Sequence, residues 1–345
     1  MKKLIYILLV GIIFFTACKN QDWEFDDFKY TTVYFPYQTP IRTLVLGEDI
    51  YDNTLDNAHK CKIMATMGGV YENTTDRILN IAVDYTMFDS LGIDGDSVNI
   101  ILPMPEEYYS LESSMQIKIP AGSTVGGIEV QLTDAFFADP LSAKKTYVVP
   151  LRILSVTNAD SILSGEGLIP DANIFTPSDW AVEPKNYVLY CIKYVNPWHG
   201  SYLRRGIDEG KGNNGNSALD TTIIKHKEYV ERDEVVKLNT VSLNELSLSL
   251  ITRDKGSSAD IPFQLMLEID NLGKCLVTAP NEVSYSITGN GEFVKDGDMW
   301  GNEAQDVLYL NYEVNFGPST HSFTDTLVLR DRGVAFETFT PVIVQ

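Results

Sequence analysis

The sequence predicts an all-β protein of two units, a β-sandwich followed by an antiparallel β-barrel. Three observations carry this. No long segment repeats its apolar residues at helical spacing; short alternating or β-branched runs recur instead between clusters of Gly, Asn, Asp and Pro. A chain of 345 residues exceeds one ordinary hydrophobic core, which favours two. Between residues 156 and 185 the strand pattern lapses, and Gly165, Gly167, Pro170, Pro177 and Pro184 punctuate the stretch as a connector.

The strands justify themselves in order. Tyr30 to Phe35, Lys62 to Met67 and Ile78 to Tyr85 open the first unit, and Val98 to Leu102 stops at Pro103. Met115 to Ile119 ends in the turn Pro120-Ala-Gly-Ser123, Ile128 to Leu132 alternates cleanly, and Tyr147 to Leu154 follows. Pro150 inside that last run points to an edge or a bulge. About seven strands suit a sandwich over residues 30–155. After the connector, strands are predicted at Tyr187 to Val195, Thr221 to Val230, Val235 to Leu238, Leu246 to Thr252, Phe263 to Ile269 and Leu276 to Ala279. Val283 to Thr288, Val307 to Phe316 and Ser322 to Arg330 complete the series, with Val334 to Phe339 a short last strand. A meander of this count closes into an up-and-down barrel over residues 186–345, which removes exposed edges. Gly206 to Asp220, rich in Gly and Asn, reads as a flexible loop.

The N-terminus sets the expected address. Lys2 and Lys3 precede an apolar run from Leu4 to Phe15 that is too short to span a bilayer, and Thr16 and Ala17 stand before Cys18. Residues 1–17 therefore read as a signal peptide. Phe15-Thr16-Ala17-Cys18 resembles a bacterial lipobox, in which Cys18 takes the lipid and becomes the first mature residue. Several acyl chains hold a protein stably where one alone is marginal. The tether over residues 18–29 carries Asp22, Glu24, Asp26 and Asp27, and it resembles the acidic signal that sends Bacteroidota lipoproteins to the cell surface. The expected location is the outer membrane, lipid-anchored and surface-exposed, with the anchor as the sole membrane contact.

Composition narrows the partners. Lys and Arg number 27 against 47 Asp and Glu, a net charge of −20. That field repels nucleic acid, whose recognition rests on basic phosphate contacts. Besides Cys18, the cysteines are Cys61, Cys191 and Cys275, without zinc-ligand spacing. Cys191 reads as a buried thiol, and a Cys191–Cys275 bridge stays open. The four histidines, His59, His199, His226 and His321, are scattered. No Gly-x-Ser-x-Gly, His-Glu-x-x-His or phosphate-binding glycine loop occurs, so no enzyme and no cofactor is expected.

Further residues carry a family resemblance. Ile117-Lys-Ile-Pro-Ala-Gly-Ser123, Gly127-Ile-Glu-Val-Gln-Leu-Thr-Asp134 and Tyr147-Val-Val-Pro-Leu151 resemble the immunoglobulin-like N-terminal domain of Bacteroidota surface lipoproteins. Asn196-Pro-Trp-His-Gly-Ser-Tyr202 and Asp325-Thr-Leu-Val-Leu-Arg-Asp-Arg-Gly-Val334 resemble the lipocalin-like C-terminal domain that accompanies it. Such proteins are typically encoded in polysaccharide-utilisation loci beside a SusC-type transporter and a SusD-type lipoprotein. The resemblance implies a surface protein that binds a polysaccharide or oligosaccharide for such a transport complex. The alternatives are a structural or adhesive protein with a protein partner, and a glycoside hydrolase, which would need two carboxylates at a set separation.

Glycan binding needs aromatic faces for sugar C–H groups and polar groups for hydroxyls. Trp300, in the polar stretch Asp296 to Glu303, either offers its indole to a sugar with Asp298, Asn302 and Glu303 or folds back as a lid. Trp198 and Tyr202 either bind sugar or plug a barrel mouth, as a tryptophan near the first strand does in lipocalins. Trp180 sits in the connector, where it lines an interdomain cleft or staples the two units. Asp296, Asp298, Gly301 and Asn302 faintly match a calcium loop, but Val307 stands where a bidentate Glu belongs, so no metal is expected.

Overall fold

The computed structural model describes residues 30–88, 91–92, 101–255 and 259–343. The signal peptide, Cys18, nearly all of the tether and most of Val98 to Leu102 lie outside the described residues. The N-terminal unit contains β1 (Thr32–Tyr34), β2 (Pro40–Val45), β3 (Lys60–Gly68), β4 (Arg77–Val83) and β5 (Tyr109–Leu111). It continues with β6 (Gln116–Ile119), β7 (Val125–Leu132), β8 (Tyr147–Thr157), β9 (Ser161–Ile162) and β10 (Tyr187–Val195). One sheet runs β9-β1-β3-β7-β5 and the other β2-β10-β8-β4-β6. Alternation explains the packing: Cys61, Ile63, Ala65 and Met67 of β3 turn inward while Lys62 and Met64 face water. They meet Leu79, Ile117, Val149, Leu151 and Ile192 of the second sheet in one core.

Strand β10 corrects the expected domain boundary. Rather than opening the barrel, it runs antiparallel to β8 and parallel to β2, from Cys191↔Ile41 to Val195↔Val45. Its apolar run, interrupted only by Lys193, has a physical reason, because a strand buried on both faces needs no polar alternation. Val188, Ile192 and Tyr194 enter the main core, and Tyr187, Leu189 and Cys191 enter a second cluster with Ile41, Met87 and Phe339. The stretch 156–185 is therefore an excursion within the N-terminal unit, not a link between units.

Pro150 also sits differently from expectation, in a strand paired on both sides. Its ladder partner on β10 is Leu189, and its carbonyl accepts from Asp84 N at 3.0 Å, just past the end of β4. A strand residue's N–H and C=O point the same way, so the missing N–H faces the place where β4 has already ended. The register shift comes later, between Ile153 and Ser155.

The C-terminal unit comprises β11 (Gly200–Gly212), β12 (Thr221–Lys225), β13 (Glu234–Thr240), β14 (Glu245–Thr252) and β15 (Ile261–Ile269). β16 (Lys274–Thr278), β17 (Ser286–Trp300), β18 (Glu303–Asn315) and β19 (Ser319–Asp331) follow. All but β12 form a closed eight-stranded antiparallel barrel, sealed by β11 against β19 from Ser201↔Asp331 to Gly212↔Ser319. An eight-stranded barrel is just wide enough for side chains to fill it or for one small ligand. Tyr202, Leu238, Leu248, Leu265, Leu267, Leu310 and Phe323 fill that space as one core cluster.

The first half of the expected flexible loop is in fact the end of β11, the strand that closes the barrel. Its glycines mark close approach, not turns: a Cβ on Gly206 would strike Asp325, and one on Gly210 would lie 2.6 Å from His321 Cε1. The expected last barrel strand is corrected as well. Past the barrel the chain returns to the N-terminal unit, where β20 (Glu337–Thr338) pairs with β2 and β21 (Val342–Ile343) with Leu91–Gly92. Cys61, Cys191 and Cys275 are free and buried, and burial pushes each thiol up to about 12. Among the described residues no helix is long and apolar enough to cross a membrane.

Candidate functional site

The six aromatic and polar residues singled out from the sequence fall in three places. The stretch around Trp300 is a ladder, not a loop. Beyond Val294 the β17–β18 hairpin leaves the barrel wall, with a register shift before Asp298 and Asp296 at φ 51°. Trp300 pairs with Glu303 around Gly301 and Asn302, both left-handed, as a two-residue primed turn requires. This arm folds over the outside of the barrel, where Tyr309 donates to Gly297 O at 3.3 Å. The Arg205 guanidinium lies 5.2 Å from the Trp300 ring centroid, and Trp300 Nε1 donates to Asp298 Oδ2 at 2.9 Å. One indole face is thus taken by a cation, Asp298 serves the indole, and Asn302 serves the turn.

Trp198 packs on the barrel core and meets Phe293 edge-on at 6.4 Å. Tyr202 is a correction to the sequence expectation. It is wholly buried, its hydroxyl donates to Trp198 O at 2.8 Å, and no sugar reaches it. Trp180 donates to Asn173 O at 2.8 Å, and its strand, Trp180–Val182, pairs with Glu166–Gly167. It staples the excursion to itself and neither joins the units nor lines a cleft between them.

What sequence reasoning missed is the junction. A cleft of about 720 Å³ opens between the loop after β2, the base of the arm at Gln305 and Asp306, and the segment Leu329 to Val334. The loop is braced from within. Asn53 Nδ2 donates to Val45 O at 2.9 Å and Gly47 O at 2.8 Å, and Asp52 accepts from Thr54 N and Oγ1, which hold its carboxyl below the usual carboxylate range. Burial raises the Asp56 pKa, yet this carboxylate is engaged by Val45 N at 2.8 Å and by Arg42. It is a brace, not a free acid. The same bracing leaves Ile50 and Tyr51 turned out, 89% and 74% exposed, at the cleft. Lys295 of the arm pairs with Glu48 of the loop at 2.5 Å and ties the two rims.

Arg332 locks the floor. Only 7% exposed, it donates from Nε to His199 O at 2.8 Å, from Nη1 to Glu48 O at 2.6 Å, and from Nη2 to Leu46 O at 3.0 Å and Asn196 O at 2.7 Å. One guanidinium thus gathers the loop, the short link between units and the barrel end. On the far side of this segment, His199 Nδ1 accepts from Thr240 N at 3.1 Å. Burial, then Lys237, Arg332 and Lys193, lower its pKa to about 4, so it is neutral.

Farther along the barrel lies a buried polar belt. Arg204 and Asp325 pair through two bonds of 3.0 and 2.9 Å, and Tyr312 donates to Asp325 at 2.7 Å. His321 sets Nδ1 2.7 Å from Asp208 and Nε2 3.2 Å from Asp254, while Thr252 also donates to Asp208. Burial alone would lower the His321 pKa, but the two carboxylates outweigh it and raise it. A carboxylate beside each ring nitrogen favours the charged form of the ring. Every member is partnered, and the belt reads as barrel structure. Among the described residues no group of three or more His, Cys, Asp or Glu has the arrangement of a metal site.

Comparison with known proteins follows the two units. Residues 197–333 match a domain of unknown function, DUF5627, and residues 28–160 match a model described as an N-terminal domain. No curated protein matches the sequence. A Bacteroides ovatus protein of unknown function, solved by structural genomics, is 40% identical with a TM-score of 0.82, over 92% of this chain and 99% of its own. A Bacteroides ovatus multidomain protein including DUF1735 is 13% identical over 87% of this chain and 94% of its own, with a TM-score of 0.45. An auxiliary nutrient binding protein from Bacteroides thetaiotaomicron is 12% identical over 84% and 90%, with a TM-score of 0.41. At that level neither of the last two bears on this chain, and none of the three is described as an enzyme. With two-fifths of its residues shared along nearly the full length of both chains, the chain belongs to the family of the Bacteroides ovatus protein of unknown function.

Proposed function

We propose that this is a cell-surface saccharide-binding protein, lipid-anchored at Cys18 through its acidic tether to the outer membrane. On this reading the N-terminal unit is immunoglobulin-like, the barrel lipocalin-like, and the protein serves a SusC/SusD-type transport complex. The observation that carries the binding role is the junction cleft. Its volume lies within the usual range for ligand sites, and a rigid loop presents the uncovered Tyr51 ring beside carboxylates and the Gln305 amide. Sugar rings need that pairing of an apolar face with hydroxyl-bonding groups. The packed barrel interior directs a ligand to the junction, not to a barrel lumen.

The test is calorimetric titration of the chain from residue 18 onward against a panel of soluble oligosaccharides and polysaccharides, with Tyr51→Ala and Trp300→Ala in parallel. Tyr51→Ala is expected to weaken binding about tenfold, roughly the loss of one stacked ring. Trp300→Ala is expected to change it little, because Arg205 already covers one face. Absence of binding across the panel, or full affinity in Tyr51→Ala, refutes the proposal.

A further inference from the structure

A second aromatic feature lies apart from the residues that line the cleft. Tyr37 and Phe336 pair with ring centroids 4.9 Å apart and planes inclined by 49°, yet they remain 54% and 64% exposed. Single exposed rings are ordinary; a paired set left open to water calls for an explanation. Neither ring is there by accident of a loose terminus. Tyr37 sits between the buried Phe35, whose N–H donates to Lys185 O at 2.8 Å, and Gln38, whose carbonyl accepts from Leu189 N at 2.7 Å. Phe336 is held by the next residues of the returning tail: Glu337 pairs with Lys193 at 2.9 Å, Ile41↔Glu337 and Pro40↔Thr338 are in register, and the buried Phe339 donates to Thr39 O at 3.1 Å. Two distant stretches of chain are thus fastened so that their rings share one open surface. Among the described residues nothing bonds the Tyr37 hydroxyl.

We infer that Tyr37 and Phe336 form a second saccharide platform for a neutral glycan chain whose successive sugars are twisted relative to one another. The inference rests on the saccharide-binding reading and extends it to a separate surface. Area decides against a protein partner. Each ring buries at most ~150–250 Å², and about half remains available, whereas stable protein interfaces need ~800 Å² per partner. One or two sugar rings fit that area. Charge decides for a neutral chain, since the adjacent Lys193–Glu337 pair is self-neutralised and a protein of net charge −20 repels polyanions. The inclined planes favour a coiled chain, because a flat ribbon needs coplanar rings.

The test is native electrophoresis through gels containing pullulan, galactomannan, mixed-linkage β-glucan or polygalacturonate, with wild type, Tyr37→Ala, Phe336→Ala, Tyr37→Phe and Tyr51→Ala. Thermal melting of each variant checks folding. Tyr37→Ala and Phe336→Ala are each expected to weaken retention by a neutral polysaccharide about tenfold, roughly one aromatic contact. Tyr37→Phe is expected to retain it, and a short oligosaccharide that fills only the cleft should bind all but Tyr51→Ala as wild type does. Unchanged retention of both alanine variants, with Tyr51→Ala impaired, overturns this platform and leaves the cleft standing. A polyanion retained as strongly as any neutral chain overturns the stated ligand class. No retention of the wild type in any gel overturns both.

Discussion

Arg332→Ala should uncouple the two units, and the size of the effect follows from its four bonds. The substitution orphans the carbonyls of Leu46, Glu48 and His199, while Asn196 O keeps its bond from His199 N at 3.2 Å. Glu48 O lies near water and is re-solvated, while each of the other two costs roughly 1–3 kcal/mol when left bare in the interior. The low end of that range totals about 2 kcal/mol. Opposing it, burial lowers the Arg332 pKa, and Asp49 and Asp306 offset that only in part, so the wild type bears a desolvation cost that removal relieves. The net loss expected is about 1 kcal/mol, with Arg332→Lys losing nearly as much because an ammonium cannot span four acceptors. Urea unfolding followed by tryptophan emission, to which Trp198 at the junction contributes, should show a lower midpoint and a split into two transitions. Arg332→Met separates the opposing effects, because it keeps bulk and loses every bond. If Arg332→Ala and Arg332→Met both stay within about 0.5 kcal/mol of wild type, the carbonyls are not held by this residue in any way that matters.

Three further outcomes follow from the buried groups. The raised His321 pKa means its contribution is full below the ordinary histidine value and is lost as pH rises through its folded pKa; His321→Gln should flatten that decline in a melting-temperature profile. His199 behaves oppositely: its contribution is present above about 6.5 and is lost as pH falls towards about 4, and His199→Gln should remove that acid-side loss. Gly210→Ala should destabilise the barrel by about 1–3 kcal/mol, because its Cβ would meet His321 Cε1 at 2.6 Å and Thr221 Cγ2 at 2.7 Å; a melting temperature equal to wild type would contradict this.

Much of the fold was legible because strands with one buried face announce themselves by alternation. β3, β7, β14 and β15 all read correctly for that reason. The failures came where alternation was absent for a tertiary cause. β10 lacks polar alternation because both faces are covered, so nothing local distinguished an inner strand of the first unit from a first barrel strand. β11 carries Gly206 and Gly210, which look like loop residues until Asp325 and His321 are seen to occupy the space a Cβ would need. The charged residues of β11 give no local signal of their position either. Arg204 and Asp208 are inward-facing and fully buried, and their partners Asp325 and His321 lie more than a hundred residues away. No local pattern encodes such a pairing.

The site was less legible, and the reason is general. A tryptophan in a polar stretch looks available, but availability depends on what folds against it, and Arg205 lies on another strand. Tyr51, by contrast, stands in a run of Glu, Asp and Asn that reads as an ordinary solvated loop. It becomes a site residue only because Asn53 and Asp56 brace the loop and Arg332 brings the barrel end beneath it. The cleft is therefore a product of the junction, not of either unit. That has a consequence for ligand binding. A substitution at Arg332, which should leave Tyr51 itself untouched, is expected to weaken saccharide binding along with unit coupling, whereas Gly210→Ala at the far end of the barrel should lower stability and spare affinity. Equal loss of affinity in both variants would mean that binding tracks global stability and not the geometry of the junction.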